Sequence, residues 1–403
     1  MRTQQEVNTR QVGWILVAVF CVGTLCQLAG AQECCREAAS KIPYDIFPDV
    51  FPGEAAHPSA ATIVEVHSKG QVPSVIIEAR VSSGSQHFGE GFARYVSRDY
   101  GSTWRMTRRE FPSPWGGGGM AFYEAPSDSR ILYKQPLGTG IYLRSDDAGR
   151  SWTRPKHLIG GMSRRVFAER IGKRTQSTVS FTIVAVHPAQ PRTAFATLLI
   201  EPVGQVQPAK GQKAFQNLGD LYVTRDGCET WTLFAEGMGE AAALGIAPSN
   251  PRVMFAVGSE GVVKSTNGGK TWVPVGQQKE LSAPPYIPGR AERQAKLFPG
   301  IRFGPVPVEI YRIVVDLRDE DVVYIVSNKG LYRTLDSART WCLLNTGPDI
   351  LDNVNSLGLN PADPQELFVG TRLGTLYSKD RGCHFERIYP PLRPKDSPTG
   401  PQE

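Results

Sequence analysis

The chain has 403 residues, of which 40% are hydrophobic and 21% are charged. This composition is typical of a globular protein and excludes a disordered or collagen-like chain. The length allows one repeat domain or two ordinary domains. The formal net charge is +6, from 45 Lys and Arg against 39 Asp and Glu. A charge this small means that only the placement of the basic residues can suggest a ligand.

The N-terminus has the layout of a secretory signal peptide. Arg2 and Arg10 flank the start, an apolar run follows at residues 14–28, and Ala-Gly-Ala at residues 29–31 offers a cleavage site. We therefore assign residues 1–31 to a signal peptide and expect a secreted or periplasmic protein that leaves the membrane after cleavage. The alternative is an uncleaved membrane anchor, because the apolar run is long for a signal peptide.

One eight-residue pattern recurs six times along the chain. Its clearest copy is Ser265-Thr-Asn-Gly-Gly-Lys-Thr-Trp272, and the other copies begin at Ser97, Ser145, Thr224, Thr334 and Ser378. The first hydroxyl and the Asp or Asn at the third position can accept hydrogen bonds from the N–H groups of a tight turn. Gly at the fifth position supplies a positive φ. We call this pattern the octet and predict that each copy joins two strands.

The octet resembles the Asp-box, or BNR repeat, of a superfamily of β-propellers that includes sialidases, sortilin-type domains and photosystem assembly factors. The resemblance implies turn-stabilising roles for the third residue and packing roles for the aromatic residue at the end. These structural residues are Asp99, Asp147, Asp226, Asn267, Asp336, Asp380, Trp104, Trp152, Trp231, Trp272 and Trp341.

Strand patterns surround each octet. The unit that starts at Leu244 reads as strand, turn, strand, turn, strand, octet, strand, which is one four-stranded antiparallel blade. Five other units align with it, at residues 61–108, 121–153, 182–234, 310–344 and 357–388. We predict an all-β fold, a β-propeller of six four-stranded blades, with seven as the alternative. The propeller covers residues 61–390, after an irregular segment at 32–60 and before a flexible tail at 391–403.

Two long insertions are rich in basic residues. Hairpins alternate between the two ends of a blade, so the octets and the first turns should share one rim, and the blade connections the other. The insertions at residues 154–180 and 276–309 are blade connections, and long loops on a rigid scaffold often carry function. Guanidinium groups and an aromatic ring suit a carboxylated ligand. The ligand-binding candidates are Arg164, Arg165, Arg170, Arg290, Arg293, Arg302 and Tyr286.

These features favour an exported, non-catalytic propeller that binds an anionic glycan or an acidic protein segment. The alternative is a sialidase-like glycoside hydrolase, since the sialidase resemblance implies an arginine triad, a Tyr/Glu nucleophile pair and an Asp acid. The Phe/Tyr-Arg-Ile-Pro motif of sialidases is missing near the start of the propeller. Nucleic-acid binding is not expected of an exported chain.

Five cysteines follow the signal peptide: Cys34, Cys35, Cys228, Cys342 and Cys383. They can oxidise in an exported protein. Cys342 and Cys383 fall near the same rim of adjacent units, so we predict a disulfide between them. The histidines show no ligand spacing and no C-x-x-C occurs, so we expect neither a metal site nor a cofactor.

Overall fold

The strands among the described residues form six sheets that follow one another along the chain. A computed structural model of the protein describes residues 59–68, 73–82, 90–110, 120–136, 142–171, 177–202, 216–236, 243–258, 261–275, 310–327, 330–344, 354–371 and 374–389. We number the sheets 1 to 6 in chain order. Consecutive strands within each sheet are antiparallel.

The first three sheets differ in strand number. Sheet 1 contains β1 (Ser59–Ser68), β2 (Pro73–Ser82), β3 (Glu90–Ser97) and β4 (Arg105–Glu110). Sheet 2 contains β5 (Met120–Ala125), β6 (Asp128–Pro136) and β7 (Leu143–Ser145). The chain then forms β8 (Leu158–Ile159) and the helix α1 (Arg164–Ile171). Sheet 3 contains β9 (Ser177–Val186), β10 (Ala194–Pro202), β11 (Gln216–Thr224) and β12 (Thr230–Ala235), with β8 added beside β12.

The last three sheets have four strands each. Sheet 4 contains β13 (Leu244–Ile246), β14 (Met254–Gly258), β15 (Gly261–Ser265) and β16 (Val273–Pro274). Sheet 5 contains β17 (Ile310–Val315), β18 (Val323–Ser327), β19 (Gly330–Thr334) and β20 (Cys342–Leu343). Sheet 6 contains β21 (Val354–Leu359), β22 (Leu367–Thr371), β23 (Gly374–Ser378) and β24 (Glu386–Tyr389).

From sheet 2 to sheet 6, each sheet packs on the next through apolar side chains. Phe181 of sheet 3 packs with Tyr133 of sheet 2, and Leu221 of sheet 3 packs with Leu244 of sheet 4. Similar clusters join sheet 4 to sheet 5 and sheet 5 to sheet 6. Strands that are covered on both faces need not alternate apolar and polar residues. β18 illustrates this, because all five of its residues are buried.

The last sheet packs against the first. Val75 and Ile77 of sheet 1 share a buried cluster with Phe368 and Ile388 of sheet 6. The indole Nε1 of Trp104 donates to the carbonyl oxygen of Ile388 at 3.2 Å. First strands also lie against one another, as β1 does with β21 and β13 does with β17. Sheets arranged radially, with their first strands innermost and the last sheet packed on the first, form a β-propeller.

Five of the six sheets have four strands or more, so the structure shows five complete blades, and the expectation of six or seven is wrong on that count. Sheet 2 has three strands among its described residues, and a single bridge between Arg144 and Thr153 stands where the fourth would begin. Pro155, two residues after Thr153, has no N–H to continue the ladder. The fourth strand of this unit therefore stops at one residue pair.

The octets share a rim with the first turns, as the sequence predicts. The fourth residue of an octet donates its N–H to a carbonyl at the first turn of the same sheet. In sheet 4 Gly268 donates to Arg252 at 2.8 Å, and in sheet 6 Arg381 donates to Gln365 at 2.8 Å. Sheets 2, 3 and 5 repeat the bond. We call this end of the propeller the octet rim.

Candidate functional site

The segment from Arg154 to Ile171, which we call the basic insertion, leaves sheet 2 at the octet rim. It runs along the outer edge of sheet 3, where β8 pairs in parallel with β12 through Leu158 with Thr230 and Ile159 with Trp231. The sequence placed this whole insertion on the opposite rim. Its first residues instead lie beside the octet of sheet 3, because the shortened fourth strand of sheet 2 leaves the chain at that end.

Backbone hydrogen bonds fix the start of the basic insertion. The N–H of His157 donates to the carbonyl of Cys228 at 3.2 Å, and that of Leu158 donates to Glu229 at 2.9 Å. The N–H of Gly160 donates to Trp231 at 2.9 Å. Each ordered bond restricts this segment to one path along sheet 3. The backbone that precedes the helix α1 and its basic side chains is therefore fixed against sheet 3.

His157 joins the basic insertion to two sheets. Its Nε2 donates to the carbonyl oxygen of Tyr142, which precedes β7, at 3.0 Å, and its Nδ1 accepts from the indole Nε1 of Trp231 at 3.3 Å. The two partners fix the tautomer, because a carbonyl can only accept and an indole N–H can only donate. The ring also stacks on Phe181 with centroids 5.9 Å apart. Burial lowers the pKa of His157 to about 4.

The helix α1 has one side buried against sheet 3 and another side exposed. Phe167 and Ala168 are buried, and the ring of Phe167 meets Tyr222 edge-on at 6.3 Å. Arg165 and Val166 are exposed on the same helix. The spacing follows helical geometry, in which adjacent residues point to different sides. The sheet therefore anchors the helix, and the exposed side faces solvent.

Arg164 is held at the first position of α1. Its Nη1 donates to the carbonyl oxygen of Val179 at 3.1 Å. Burial, and then the charge of Arg154, lower the pKa of Arg164. We call the four basic residues Arg154, Lys156, Arg164 and Arg165 of the basic insertion the basic cluster.

The remaining ligand-binding candidates are placed only in part. Arg170 lies in α1, and its side chain is outside the described part of the structure. Arg290, Arg293, Arg302 and Tyr286 also lie outside the described residues. Arg164 and Arg165 thus open the helix α1, Arg164 half-buried and Arg165 exposed, and ligand binding by any of these residues stays a prediction.

All six octets hold the same two backbone contacts. In sheet 5 the hydroxyl of Thr334 accepts from the N–H of Ala338 at 3.0 Å, and Oδ1 of Asp336 accepts from the N–H of Thr340 at 2.9 Å. Equivalent pairs occur in the other five octets. Oδ2 of Asp336 also accepts from the Thr340 hydroxyl at 2.7 Å. Both carboxylate oxygens are engaged inside the turn, which suits a structural role.

The tryptophans that end the octets pack between sheets. Trp231 is fully buried at the interface of sheets 2 and 3. Three others are half-buried. Trp272 packs at the interface of sheets 3 and 4, Trp341 at that of sheets 4 and 5, and Trp104 at that of sheets 1 and 6. Trp152 instead donates its indole N–H to the carbonyl of Gly149 at 3.1 Å.

Cys342 and Cys383 are both disulfide-bonded. Cys228 is a buried free thiol, and burial raises its pKa far above the usual range. Cys34 and Cys35 lie outside the described residues. The pairing of Cys342 with Cys383 stays a prediction.

Sequence reasoning missed a set of basic residues between sheets. Arg144 directly precedes the octet of sheet 2, and its Nη1 donates to the carbonyls of Asp226 and Gly227 in the next octet at 3.1 and 2.8 Å. Arg333 holds the same position in sheet 5 and donates to the carbonyl of Arg381 at 2.6 Å. Lys264 in sheet 4 contacts the hydroxyl of Ser337. The available signal was a basic residue before the first hydroxyl of three octets.

Within the described ranges, no group of three or more His, Cys, Asp or Glu side chains is placed to hold a metal ion. No helix in the same ranges is long and apolar enough to cross a membrane, and the apolar run at residues 14–28 lies outside them.

No protein-family profile and no curated protein matches the chain. Solved structures are similar in fold. An ancestral GH74 enzyme has a TM-score of 0.42 and 17% identity, over 69% of this chain and 32% of that one. The GH74 enzyme of Niastella koreensis has a TM-score of 0.40 and 13% identity, over 81% and 53%. The α-L-arabinanase of Penicillium chrysogenum has a TM-score of 0.43 and 11% identity, over 84% and 100%.

This chain spans about a third and about half of the length of the two GH74 enzymes. At these identities the similarity is one of fold.

Proposed function

We propose that the protein is an exported β-propeller that binds an anionic glycan, or an acidic protein segment, through the basic cluster. The observation that supports this proposal is the concentration of four basic residues on a segment that pairs with the edge of sheet 3, where Arg154, Lys156 and Arg165 are exposed. A carboxylate or sulfate group of a ligand would accept hydrogen bonds from the guanidinium groups there.

We also infer that the chain belongs with the Asp-box proteins and that sheet 2 adds an incomplete blade to the five complete ones. Sheet 2 carries an octet with the same contacts as the others, between Ser145 and Gly149 and between Asp147 and Ser151. It packs on sheet 3 as the other blades pack on their neighbours. Its three strands and single bridge would then make a sixth, incomplete blade. Export rests on the signal-peptide layout at residues 1–31.

A glycoside hydrolase is the second candidate. The superfamily that the octet resembles includes sialidases, and a sialidase-like hydrolase would also need to hold a glycan at one face of the propeller. Most glycoside hydrolases use two carboxyl groups about 5 to 10 Å apart around the bond that is cleaved, whereas a sialidase-like enzyme uses a Tyr/Glu nucleophile pair and an Asp acid. The octet carboxylates do not supply them, because they are engaged in turn hydrogen bonds. Any such pair would have to come from other acidic residues.

Equilibrium binding of heparin, polygalacturonate and a sialylated oligosaccharide tests the first candidate. Changing Arg154→Gln together with Arg165→Gln removes two exposed charges of the basic cluster. We expect roughly tenfold weaker binding at low salt and a flatter salt dependence. The matched control is Arg150→Gln with Arg339→Gln, which removes two exposed charges from the octets of sheets 2 and 5.

The control should change affinity less than twofold if the basic cluster is the site. Equal losses in the two double variants would show that only net charge matters, and would contradict the proposal. Release of sugar fragments from the same ligands would instead favour the hydrolase.

A further inference from the structure

We propose that His157 is an acid-sensitive latch, which holds the basic insertion on sheets 2 and 3 while its Nδ1 is unprotonated and releases the insertion when that nitrogen gains a proton. The proposal does not depend on which ligand the basic cluster binds. It starts from the two hydrogen bonds of the ring, to Tyr142 and Trp231.

Protonation removes one of these bonds by geometry alone. Nδ1 of His157 accepts from the indole N–H of Trp231, and an indole nitrogen has no acceptor capacity. A proton on Nδ1 would therefore point at another proton. The proton cannot be accommodated by exchanging the roles of the two ring nitrogens, because Nε2 already donates its own proton to the carbonyl of Tyr142. The imidazolium form thus fits this position only if the ring or the indole moves.

The surroundings give the charged ring little support. Within the fold His157 is 2% exposed, and the rings of Phe181 and Trp231 stack beside it at 4.6 Å from each other. From its own segment, Arg154 and Arg164 oppose protonation, whereas Glu229 of sheet 3 favours it. The thiol of Cys228, from the octet of sheet 3, is neutral.

Sheet 2 presents the carbonyl and the phenol of Tyr142, and the phenol is tied to Gln135 and to the N–H of Ile183. The balance of these groups lowers the pKa of His157 from 6.5 to about 4, with burial as the largest cause. A folded pKa below the unfolded value means that the released segment binds the proton more tightly. Attachment is therefore strongest above about pH 6.5 and weakens as the pH falls toward 4.

The segment that would move is marked by the backbone bonds of the basic insertion. The N–H groups of His157, Leu158 and Gly160 donate to sheet 3 and should resist hydrogen exchange while the latch is closed. Release would expose these amides and move Arg154 and Lys156 away from the edge of sheet 3. Sheets 4 to 6 do not contact His157 in the described residues and should keep their protection.

Hydrogen exchange of the full-length protein between pH 6.5 and pH 4, corrected for intrinsic rates, tests the latch. Protection of the amides at residues 157–160 should fall on the order of 100-fold in the wild type, as the pKa difference implies. Protection of Gly268 in sheet 4 should stay constant. His157→Gln, a neutral amide, should abolish the pH dependence at residues 157–160. His187→Gln is the matched control, because it removes another histidine with a lowered pKa at the first turn of sheet 3.

A wild type with constant protection at residues 157–160 would overturn the proposal, and so would equal losses in all sheets. A pH dependence that persists in His157→Gln would also overturn it. If that variant does not fold, an NMR titration of the wild-type ring decides. An apparent pKa below about 5 supports the latch, and a value near 6.5 rejects it.

Discussion

Each octet places two successive residues at positive φ, whatever those residues are. In sheet 4 they are Gly268 and Gly269, at 73° and 81°, and in sheet 5 they are Ser337 and Ala338, at 63° and 69°. A side chain at such a φ is strained, by about 1–3 kcal/mol. Ala338 nevertheless donates to the Thr334 hydroxyl at 3.0 Å and is buried between sheets. In sheet 5 the turn is therefore set by its hydrogen bonds and its packing, without a glycine.

The third residue of the octet should contribute to stability through both oxygens of its carboxylate. Asp336→Ala leaves the N–H of Thr340 and the hydroxyls of Thr334 and Thr340 without their acceptor, so we expect a loss of about 1–3 kcal/mol. Asp336→Asn should cost less than about 1 kcal/mol. The reason is that Asn267 makes the equivalent bonds in sheet 4, where its Nδ2 donates to Thr271 at 2.8 Å. Urea denaturation measures both changes, and equal losses would contradict the account.

At the scale of the elements, basic side chains tie one blade to the octet of the next. Arg144→Met removes the donor to the carbonyls of Asp226 and Gly227 and keeps the length of the side chain. The side chain is 11% exposed, so we expect a loss of about 1–3 kcal/mol in the free energy of unfolding.

Arg130→Gln is the matched control for this prediction. Its guanidinium is paired with Asp128 of the same strand and is 72% exposed, so the change should stay within about 0.5 kcal/mol. Comparable losses in the free energy of unfolding would show that the hydrogen bonds of Arg144 between blades stabilise the protein no more than a surface ion pair does.

The strands and turns could be predicted from the sequence because each octet is a local hydrogen-bonding pattern. The route of the basic insertion could not. Pro155 explains why the fourth strand of sheet 2 stops, but nothing local shows that Leu158 and Ile159 pair with the edge of sheet 3. His157 was equally hidden, since its partners Tyr142 and Trp231 are brought to it by two different sheets. Long-range pairing of this kind is a property of the fold.

At the scale of the whole molecule, the propeller depends on contacts between its two ends. Gly101 illustrates how close sheets 1 and 6 are: a Cβ built on it would lie 2.6 Å from Cβ of Ile388. Trp104 of sheet 1 donates to the carbonyl of Ile388. In sequence these residues are almost the full length of the repeat region apart. Bringing residues so far apart in sequence together costs conformational entropy. The apolar surface buried where sheets 1 and 6 meet offsets that cost.

The closure of the ring is tested most directly by hydrogen exchange in Ile388→Ala. This change removes part of the apolar cluster that sheet 6 shares with Val75 and Ile77 of sheet 1, at a cost of about 2–5 kcal/mol. We predict faster exchange in β2 and β3, which lie about 300 residues earlier in the chain, as well as in sheet 6. Leu221→Ala, at the interface of sheets 3 and 4, should speed exchange there and leave β2 and β3 unchanged. Unchanged exchange of β2 and β3 in Ile388→Ala would contradict a closed ring.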